Sequence, residues 1–256
     1  MLIKIISLNL WHGGRLFDQV TQFLEDQQAD IMLFQEVYNG TDQNLARRFQ
    51  TVSLLKKLLP NHAHIFSPAI LDLRKKEGSI ENGQLLLSKF PIISSGSIFF
   101  DIPFGEYDHD AIQDFTNFPA LMQVVRVKID NRIFKLMNVH GPVNYDGTAD
   151  TDRRLKMKAA ILEQIKNEEP IILSGDFNVR PQTQTIRDIE QKLKNVFKDE
   201  LITSFNLKRK DLKNEPGFAD AVVDMMFVSP KIKILKKSCP QVDVSDHLPL
   251  IATLDV

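Results

Sequence analysis

Several apolar segments of this sequence are bounded by a side chain that can bind a metal ion or a phosphate. These side chains are Asn9, Glu36, His140, Asp176 with Asn178, and Asp246 with His247. In layered α/β folds, ligand sites are assembled at strand ends from residues that are distant in sequence. The sequence therefore predicts an α/β fold that gathers these polar residues at one rim of its sheets.

The predicted elements combine βα units with antiparallel hairpins. Strands are expected over 2–9, 30–36, 62–67, 84–88, 92–100, 120–129, 132–139, 171–174, 222–229, 231–237 and 248–254. Helices are expected over 16–27, 42–59, 150–167 and 183–195. This mixture favours a sandwich with mixed sheets over a purely parallel doubly wound sheet. Because no Pro/Gly/Ser-rich linker or fixed-period repeat interrupts the pattern, we expect one domain over residues 1–256.

Charge and cysteine content limit the classes of protein to consider. The net charge of −1 gives no strong field for nucleic acid or an anionic membrane, although a local basic strip can still hold phosphates. The single cysteine, Cys239, excludes an internal disulfide and fits a reducing compartment. The alternating N-terminal segment is too short for a signal sequence or a membrane span. We therefore expect a cytoplasmic protein without membrane insertion, and a monomer by default.

The segment 170–183, PIILSGDFNVRPQT, contains the sharpest motif. Asp176 and Asn178 are two residues apart, so in extended chain they point to the same side and can face one ligand. Since an ionised carboxylate is costly to bury without a partner, a metal ion or its water is expected at this strand end. The alternative is an Asx turn that caps the following helix.

Two further motifs contain a carboxylate and a histidine. Asp246 and His247 precede the last strand, where a turn can direct both inward, although a solvated surface turn is the alternative. Asp224 lies among apolar residues within 222–228 and needs a partner. An imidazole is a natural partner, because an aspartate can hold a catalytic histidine in position.

Glu36, Asn9 and His140 have weaker individual signals. A single Glu at a strand end suits Mg²⁺, which is typically held by one or two carboxylates together with waters and substrate phosphate. The alternatives are a Glu that emerges into solvent, an Asn that caps a turn and a satisfied core histidine. The acidic segment 101–114 is interpreted as a solvated or lid-like loop rather than a second metal site.

Motifs of several other enzyme classes are absent from the sequence. It contains no GxSxG elbow, P-loop, GxGxxG or HExxH motif, and no cysteine pair for zinc. The short basic run Lys208, Arg209, Lys210 is a candidate for binding a phosphate backbone, although such runs are commonly solvated loops.

Taken in order, the motifs resemble those of the endonuclease/exonuclease/phosphatase family of DNase-I-like, metal-dependent phosphohydrolases. The motifs are SLNLW (7–11), LFQEV (33–37), NVHG (138–141), SGDFNVRP (174–181), VDMMFVS (223–229) and SDHLP (245–249). They span nearly the whole chain, and agreement across independent parts is what identifies a site. The resemblance implies a four-layer α/β sandwich: two mixed sheets packed face to face, helices outside and the site at one rim.

The resemblance also implies roles for individual residues in binding Mg²⁺, with Mn²⁺ as a possible substitute. Glu36 matches the main metal ligand, with Asn9 beside it, and Asp246 matches a further metal or water contact. Asp176 matches the aspartate that activates water or orients the leaving group, and Asn178 its partner in phosphate binding.

The histidines complete the implied site. His247 matches the histidine near the scissile phosphate, Asp224 the carboxylate that orients it, and His140 a phosphate-contacting histidine. The implied reaction is attack of an activated water on a phosphodiester or phosphomonoester. A nuclease is the alternative, although His140 and Trp11 depart from the abasic-site endonuclease pattern. A non-catalytic binding module is the remaining alternative. Such a module is expected to lack a metal ligand or the catalytic base, and this sequence contains all of them.

Overall fold

The computed structural model describes residues 1–112, 114–166 and 169–256, which form two mixed β-sheets. The seven-stranded sheet contains, from edge to edge, β12 (Lys233–Ser238), β13 (Leu250–Asp255), β1 (Leu2–Asn9), β2 (Ile31–Asn39), β4 (Gly78–Ser88), β3 (Ala63–Arg74) and β6 (Gly105–Asp108). The six-stranded sheet contains β10 (Lys194–Asn195), β11 (Asp224–Val228), β9 (Ile171–Asp176), β8 (Arg132–His140), β7 (Leu121–Ile129) and β5 (Ile92–Phe99).

Helices occupy the connections between strands. They are α1 (Trp11–Gly14), which is a single turn, α2 (Phe17–Gln27), α3 (Thr51–Leu58), α4 (Asp152–Ile165) and α5 (Gln184–Glu190). Short 3₁₀ turns lie at Arg47–Gln50, Leu207–Arg209 and Pro216–Asp220. Within the described residues, no helix is both long enough and apolar enough to cross a membrane.

Three apolar clusters define the layers. The central cluster contains residues of both sheets, such as Ile5 of β1 and Leu136 of β8, and therefore lies between them. A second cluster packs α2 and α3 against the outer face of the seven-stranded sheet. A third packs α4 and α5 against the outer face of the six-stranded sheet. The predicted four-layer sandwich of two mixed sheets with helices outside is confirmed.

Side-chain caps begin the helices of the second outer layer. Thr151 accepts a hydrogen bond from the N–H of Arg154 at the start of α4, as such N-caps do. Asp150 accepts the N–H groups of Gln184 and Thr185 at 2.8 Å each and so caps α5. The cap of α5 is therefore supplied from a distant segment and not by the GDFN turn.

Several predicted boundaries differ from the structure. The helix expected over 42–59 is α3 alone, preceded by a 3₁₀ turn, and the helix expected over 183–195 ends at Glu190 because the chain then enters β10. The helix expected over 150–167 ends at Ile165, and residue 167 is outside the described residues. The segment expected to be the loop 101–114 contains the edge strand β6, and its residue 113 is also outside them.

Candidate active site

Strand register brings three predicted site residues together. His140 ends β8 and lies opposite Asp176, which ends β9, in the parallel ladder of the two strands. Asp224 begins β11 and lies opposite Asp176 on its other side. Three chemically active side chains therefore occupy adjacent strand positions at one rim of the six-stranded sheet.

Glu36 reaches the same rim from the facing sheet through a bulge and not from a strand end. β2 continues to Asn39, and its pairing with β4 shifts between Phe34 and Val37, where three steps along β2 match two along β4. Glu36 has a φ of 53° at this position. A bulge re-aims the side chain of its extra residue, which explains how a mid-strand Glu enters the site.

Asn9 links the two carboxylates of the site. Its Nδ2 lies 3.0 Å from Glu36 Oε1 and 3.1 Å from Asp176 Oδ2, and it donates to both. Its Oδ1 accepts the backbone N–H of Trp11 at 3.0 Å, which fixes the orientation of the amide. Asn9 therefore presents its nitrogen, and not its oxygen, to the place where the carboxylates converge.

Glu36 is held in its ionised form. Burial alone would raise its pKa, but the nearby His12 and His140 and the hydrogen bonds from the His12 N–H and Asn9 hold the pKa of Glu36 at about 2. The His12 N–H donates to Glu36 Oε2 at 2.7 Å. A permanently charged carboxylate that is half-buried is a suitable ligand for a hard cation.

His247 and Asp224 form a buried pair. His247 Nδ1 lies 2.8 Å from Asp224 Oδ2, and Nε2 lies 3.9 Å from Asp176 Oδ2. Burial would lower the pKa of His247, but the charges of Asp224 and Asp246 outweigh it and raise the pKa to about 10. The partner that the sequence demanded for Asp224 is an imidazole, which is positively charged at neutral pH.

Asp176 lies at the centre of the site. Burial and the negative charge of Asp224 raise the pKa of its carboxyl above the ordinary value. Its Oδ1 accepts the N–H of Asn178 at 2.9 Å, so the Asx turn of the alternative interpretation is present together with the clustered site. His140 Nε2 is 3.9 Å from Asp176 Oδ2 on another side.

A buried arginine that the sequence did not single out supports this turn. Arg154 of α4 is fully buried and donates to the carbonyl oxygens of Asn144, Asp146 and Ala149, and also to that of Asn178. Asn178 Nδ2 donates to Gly141 O at 3.0 Å. Arg154 thus ties the segment that follows His140 to the GDFN turn. No local pattern marks an arginine on a helix for this position.

Carboxamides between the sheets lie directly behind the site. Gln35 Nε2 donates to Asn138 Oδ1 at 2.6 Å, and Asn138 Nδ2 donates to Gln123 Oε1 at 2.9 Å. Gln35 adjoins Glu36 in sequence, and Asn138 precedes His140 by two residues. These buried hydrogen bonds therefore connect the strands that carry the two sides of the site.

Unfavourable backbone conformations are concentrated in the site. Among the described residues, the non-glycine residues with positive φ are Trp11, His12, Gln28, Glu36, Asp130, Asn178 and Asp199. Four of these seven, Trp11, His12, Glu36 and Asn178, line the cleft. Such strain costs free energy and tends to persist where function requires the geometry.

The basic run does not form a continuous strip. Arg209 Nε donates to Asp243 Oδ1 at 2.7 Å, and Lys208 is exposed. Lys210 alone lines the cleft, where its Nζ lies 2.6 Å from Asp246 Oδ2. Lys210 Nζ also lies 4.4 Å from the ring centroid of Phe205. Asp246, expected as a metal or water contact, therefore lies in the cleft and pairs with a lysine.

The site opens into a cleft of about 580 Å³. Glu36, Asp176 and Asp246 line it with His12, His140 and His247, and so do residues to which the sequence assigned no role. These additional residues include Trp11, Asn82, His109, Phe115, Phe118 and Tyr145. A volume of this size is typical of pockets for small molecules, which hold about 300–1,000 Å³.

Solved structures with the same fold come from several organisms. The protein is similar to an endonuclease/exonuclease/phosphatase from Bacteroides vulgatus, with a TM-score of 0.73 and 20% identity over 100% of this chain and 99% of that chain. A mannosyl-6-phosphatase from Bacteroides thetaiotaomicron aligns with a TM-score of 0.72 and 17% identity, over 99% of this chain and 100% of that chain. The catalytic domain of human Nocturnin with bound sulfate aligns with a TM-score of 0.68 and 15% identity, over 99% of this chain and 94% of that chain.

Sequence comparison identifies the family. No curated protein matches the chain. The sequence model of the endonuclease/exonuclease/phosphatase family matches residues 6–247, which include every candidate site residue from Asn9 to His247. The chain therefore belongs to the endonuclease/exonuclease/phosphatase family.

Proposed function

We propose that this protein is a metal-dependent phosphoesterase that cleaves a phosphodiester or a phosphomonoester by in-line attack of water. The observation that carries the proposal is the position of Asp176, between the Asn9–Glu36 pair and the two imidazoles of His140 and His247. Because both sheets contribute to this site, we also propose that residues 1–256 act as one domain.

The carboxylates present fit a hard divalent cation. Glu36 and Asp176 both accept from the same amide nitrogen of Asn9, so their oxygens converge. Glu36 is held in its ionised form with a pKa of about 2, as a ligand of a hard cation must be. We assign Glu36 as the main ligand of Mg²⁺, and Asn9 orients it beside Asp176.

Asp176 is the group that positions and deprotonates the attacking water. A general base is most effective when its pKa lies near the working pH, and burial together with Asp224 shifts the pKa of Asp176 in that direction. Its Oδ1 is held by the Asn178 N–H, and its Oδ2 faces the cleft with Asn9. When bound, the metal ion supplies positive charge that neutralises phosphoryl oxygens and steadies the leaving oxygen.

Positive charge and hydrogen-bond donors stabilise the phosphoryl oxygens. His247 is a fixed imidazolium, because Asp224 holds its Nδ1 and raises its pKa to about 10. His140 and the Asn178 amide are further donors at the same rim. Donors that are already oriented need no reorganisation in the transition state, which is why such groups are effective. Because Asp246 pairs with Lys210, we assign it to hold that lysine.

The reaction is tested by metal dependence. We expect initial rates on bis(p-nitrophenyl) phosphate or p-nitrophenyl phosphate to disappear with EDTA and return with Mg²⁺. Glu36→Gln is expected to raise the Mg²⁺ concentration for half-maximal rate by on the order of 10-fold or more, because it removes the charge of the main ligand. An unchanged titration would exclude Glu36 as a ligand, and no turnover of either ester would contradict the proposed reaction.

Lys210 is expected to bind the substrate, and Lys208 is not. Lys210→Met removes the cleft cation and is expected to raise KM by roughly 10-fold, because hydrogen bonds to charged groups are worth about 1.5–3 kcal/mol. Lys208→Met is the matched control, because Lys208 is exposed two residues earlier on the same turn. The measurement is steady-state kinetics on whichever p-nitrophenyl ester is turned over faster. Equal increases in KM for the two variants would contradict the assignment.

The nuclease alternative has less support. Of the three basic residues predicted to hold a phosphate backbone, Arg209 is paired with Asp243 and Lys208 does not line the cleft. The similarity to a mannosyl-6-phosphatase is compatible with a small substrate. A steep decrease in DNA affinity with salt would favour the nuclease instead.

A further inference from the structure

One side of the cleft contains a polar group that the proposed mechanism does not use. Arg74 Nε donates to Asp72 Oδ2 at 2.9 Å, and Arg74 Nη2 donates to the hydroxyl oxygen of Tyr38 at 2.7 Å. Asp72 is only 1% exposed, and the Arg74 guanidinium beside it compensates its charge. This buried group forms a rigid base beneath a histidine at the end of β6.

That histidine is His109, which lines the cleft and is 31% exposed. Its Nδ1 lies 3.1 Å from Arg74 Nη2 and 3.3 Å from Asp72 Oδ1, so the buried group determines the position of the ring. Nε2 has no protein partner among the described residues. Burial lowers the pKa of His109, which favours the neutral form of the ring.

A second neutral polar group lies on β4, on the other side of β3. Asn82 of β4 pairs with Ile70 of β3 and lines the cleft. Its carboxamide has no side-chain hydrogen bond to any residue that the structure describes. The imidazole and the carboxamide each offer hydrogen bonds to a ligand without adding charge.

Aromatic rings form the adjacent wall. Phe115 and Phe118 pack edge to face with centroids 5.2 Å apart, and Phe118 also packs against Tyr107 at 4.6 Å. Phe115 is 36% exposed and Tyr145 is 74% exposed, and both line the cleft. An apolar surface beside a few fixed polar groups is the usual composition of a small-molecule site.

Charge at the cleft argues against a second anionic group on the ligand. Of the described residues, the lysines and arginines that line the cleft are Arg180 and Lys210. Arg180 pairs with Asp220 at 2.9 Å, and Lys210, which we assign to the reacting ester, pairs with Asp246 at 2.6 Å. Among the described residues, no further lysine or arginine of the cleft is therefore placed to bind the other phosphates of a polynucleotide.

We infer that Asn82, His109, Phe115 and Phe118 form a subsite for the alcohol part of the substrate, and that this part is rich in hydroxyl groups. The inference rests on the proposed phosphoesterase function and assigns sugar or polyol phosphates as its substrates. A carboxamide and a neutral imidazole each contain both a hydrogen-bond donor and an acceptor, and hydroxyl groups can pair with either because they both donate and accept. The C–H face of a sugar ring packs on the aromatic wall.

The test compares two esters of similar size that differ in their hydroxyl groups. We expect kcat/KM for a hexose 6-phosphate to exceed that for hexyl phosphate by about 10-fold or more. His109→Ala and Asn82→Ala are each expected to reduce this ratio by roughly 5-fold, the usual effect of one hydrogen bond. His109→Gln should retain more of the ratio than His109→Ala. Glu106→Gln on the same edge strand is the matched control and should leave it unchanged.

The outcomes separate the subsite from the reaction. Turnover of p-nitrophenyl phosphate without preference for the hexose ester, or an equal loss for both esters in the variants, overturns the subsite alone. No turnover of any ester overturns the proposed reaction. In that case, binding of each ester to Asp176→Asn is measured by titration, with the fluorescence of Trp11 as the signal, because Trp11 is the single tryptophan and lines the cleft. Equal affinities for the two esters, or no change in fluorescence with either, overturn the subsite as well.

Discussion

Asp176→Asn is expected to lower kcat by on the order of 10²–10⁴-fold, the usual effect of losing a general base. Asparagine has nearly the same shape as aspartate and keeps an oxygen to accept the Asn178 N–H, but it cannot take a proton from water. KM is expected to change much less than kcat. The measurement is the steady-state rate on the better p-nitrophenyl ester at saturating Mg²⁺.

Stability distinguishes this chemical loss from a folding defect. Asp176 lies beside Asp224, whose negative charge opposes its ionisation, so removing one charge relieves repulsion between two buried carboxylates. The Tm of Asp176→Asn is therefore expected to be no lower than that of the wild type. Asp188→Asn on α5 is a control carboxylate outside the cleft. A kcat near that of the wild type would remove Asp176 from the role of base.

Two of the three residues that strand register brings together were expected at the ends of apolar strands. His140 ends β8 and Asp176 ends β9, whereas Asp224, expected in mid-strand within 222–229, begins β11. The motif around Asp176 gave the strongest signal, because an ionised carboxylate at the end of a buried strand needs a partner, and His140 gave a weaker one. The partner of Asp224 was predictable for the same reason, since a buried carboxylate needs one.

Features that depend on pairing between distant segments were not predictable. Glu36 was expected at a strand end, but β2 continues to Asn39 and Glu36 enters the site through a bulge, which only the register with β4 reveals. The orientation of the Asn9 amide likewise depends on the backbone N–H of Trp11 in a left-handed turn.

Long-range ion pairs separated residues that are consecutive in sequence. Lys208, Arg209 and Lys210 form one basic run, but Asp243 and Asp246 pair with two of them in different places. The segment that contains His109 was interpreted as a solvated loop. Its support was not visible from the sequence, because Asp72 and Arg74, which hold the ring, belong to the distant strand β3. In both cases the deciding partner lies far along the chain.

His247→Ala is expected to lower kcat by on the order of 10²–10⁴-fold, because it removes a fixed donor to the phosphoryl oxygens. It also leaves Asp224 as a buried carboxylate without its partner and beside Asp176. Breaking a buried ion pair in this way typically costs about 3–5 kcal/mol of unfolding free energy. Urea denaturation and kcat measured on the same sample give the two effects together.

Asp224→Asn separates the position of the imidazole from its charge. Asn can still accept a hydrogen bond from His247 Nδ1, but the pKa of His247 falls because Asp224 contributes the largest charge that raises it. The single variant is expected to lose part of kcat. The double variant Asp224→Asn/His247→Ala is expected to lose less kcat than the product of the two single losses, because Asp224 positions and charges His247 besides raising the pKa of Asp176. It should also regain part of the lost stability, since the unpaired buried charge is gone. A double variant whose loss in kcat equals the product of the two single losses would show that Asp224 acts on the reaction independently of the histidine it holds.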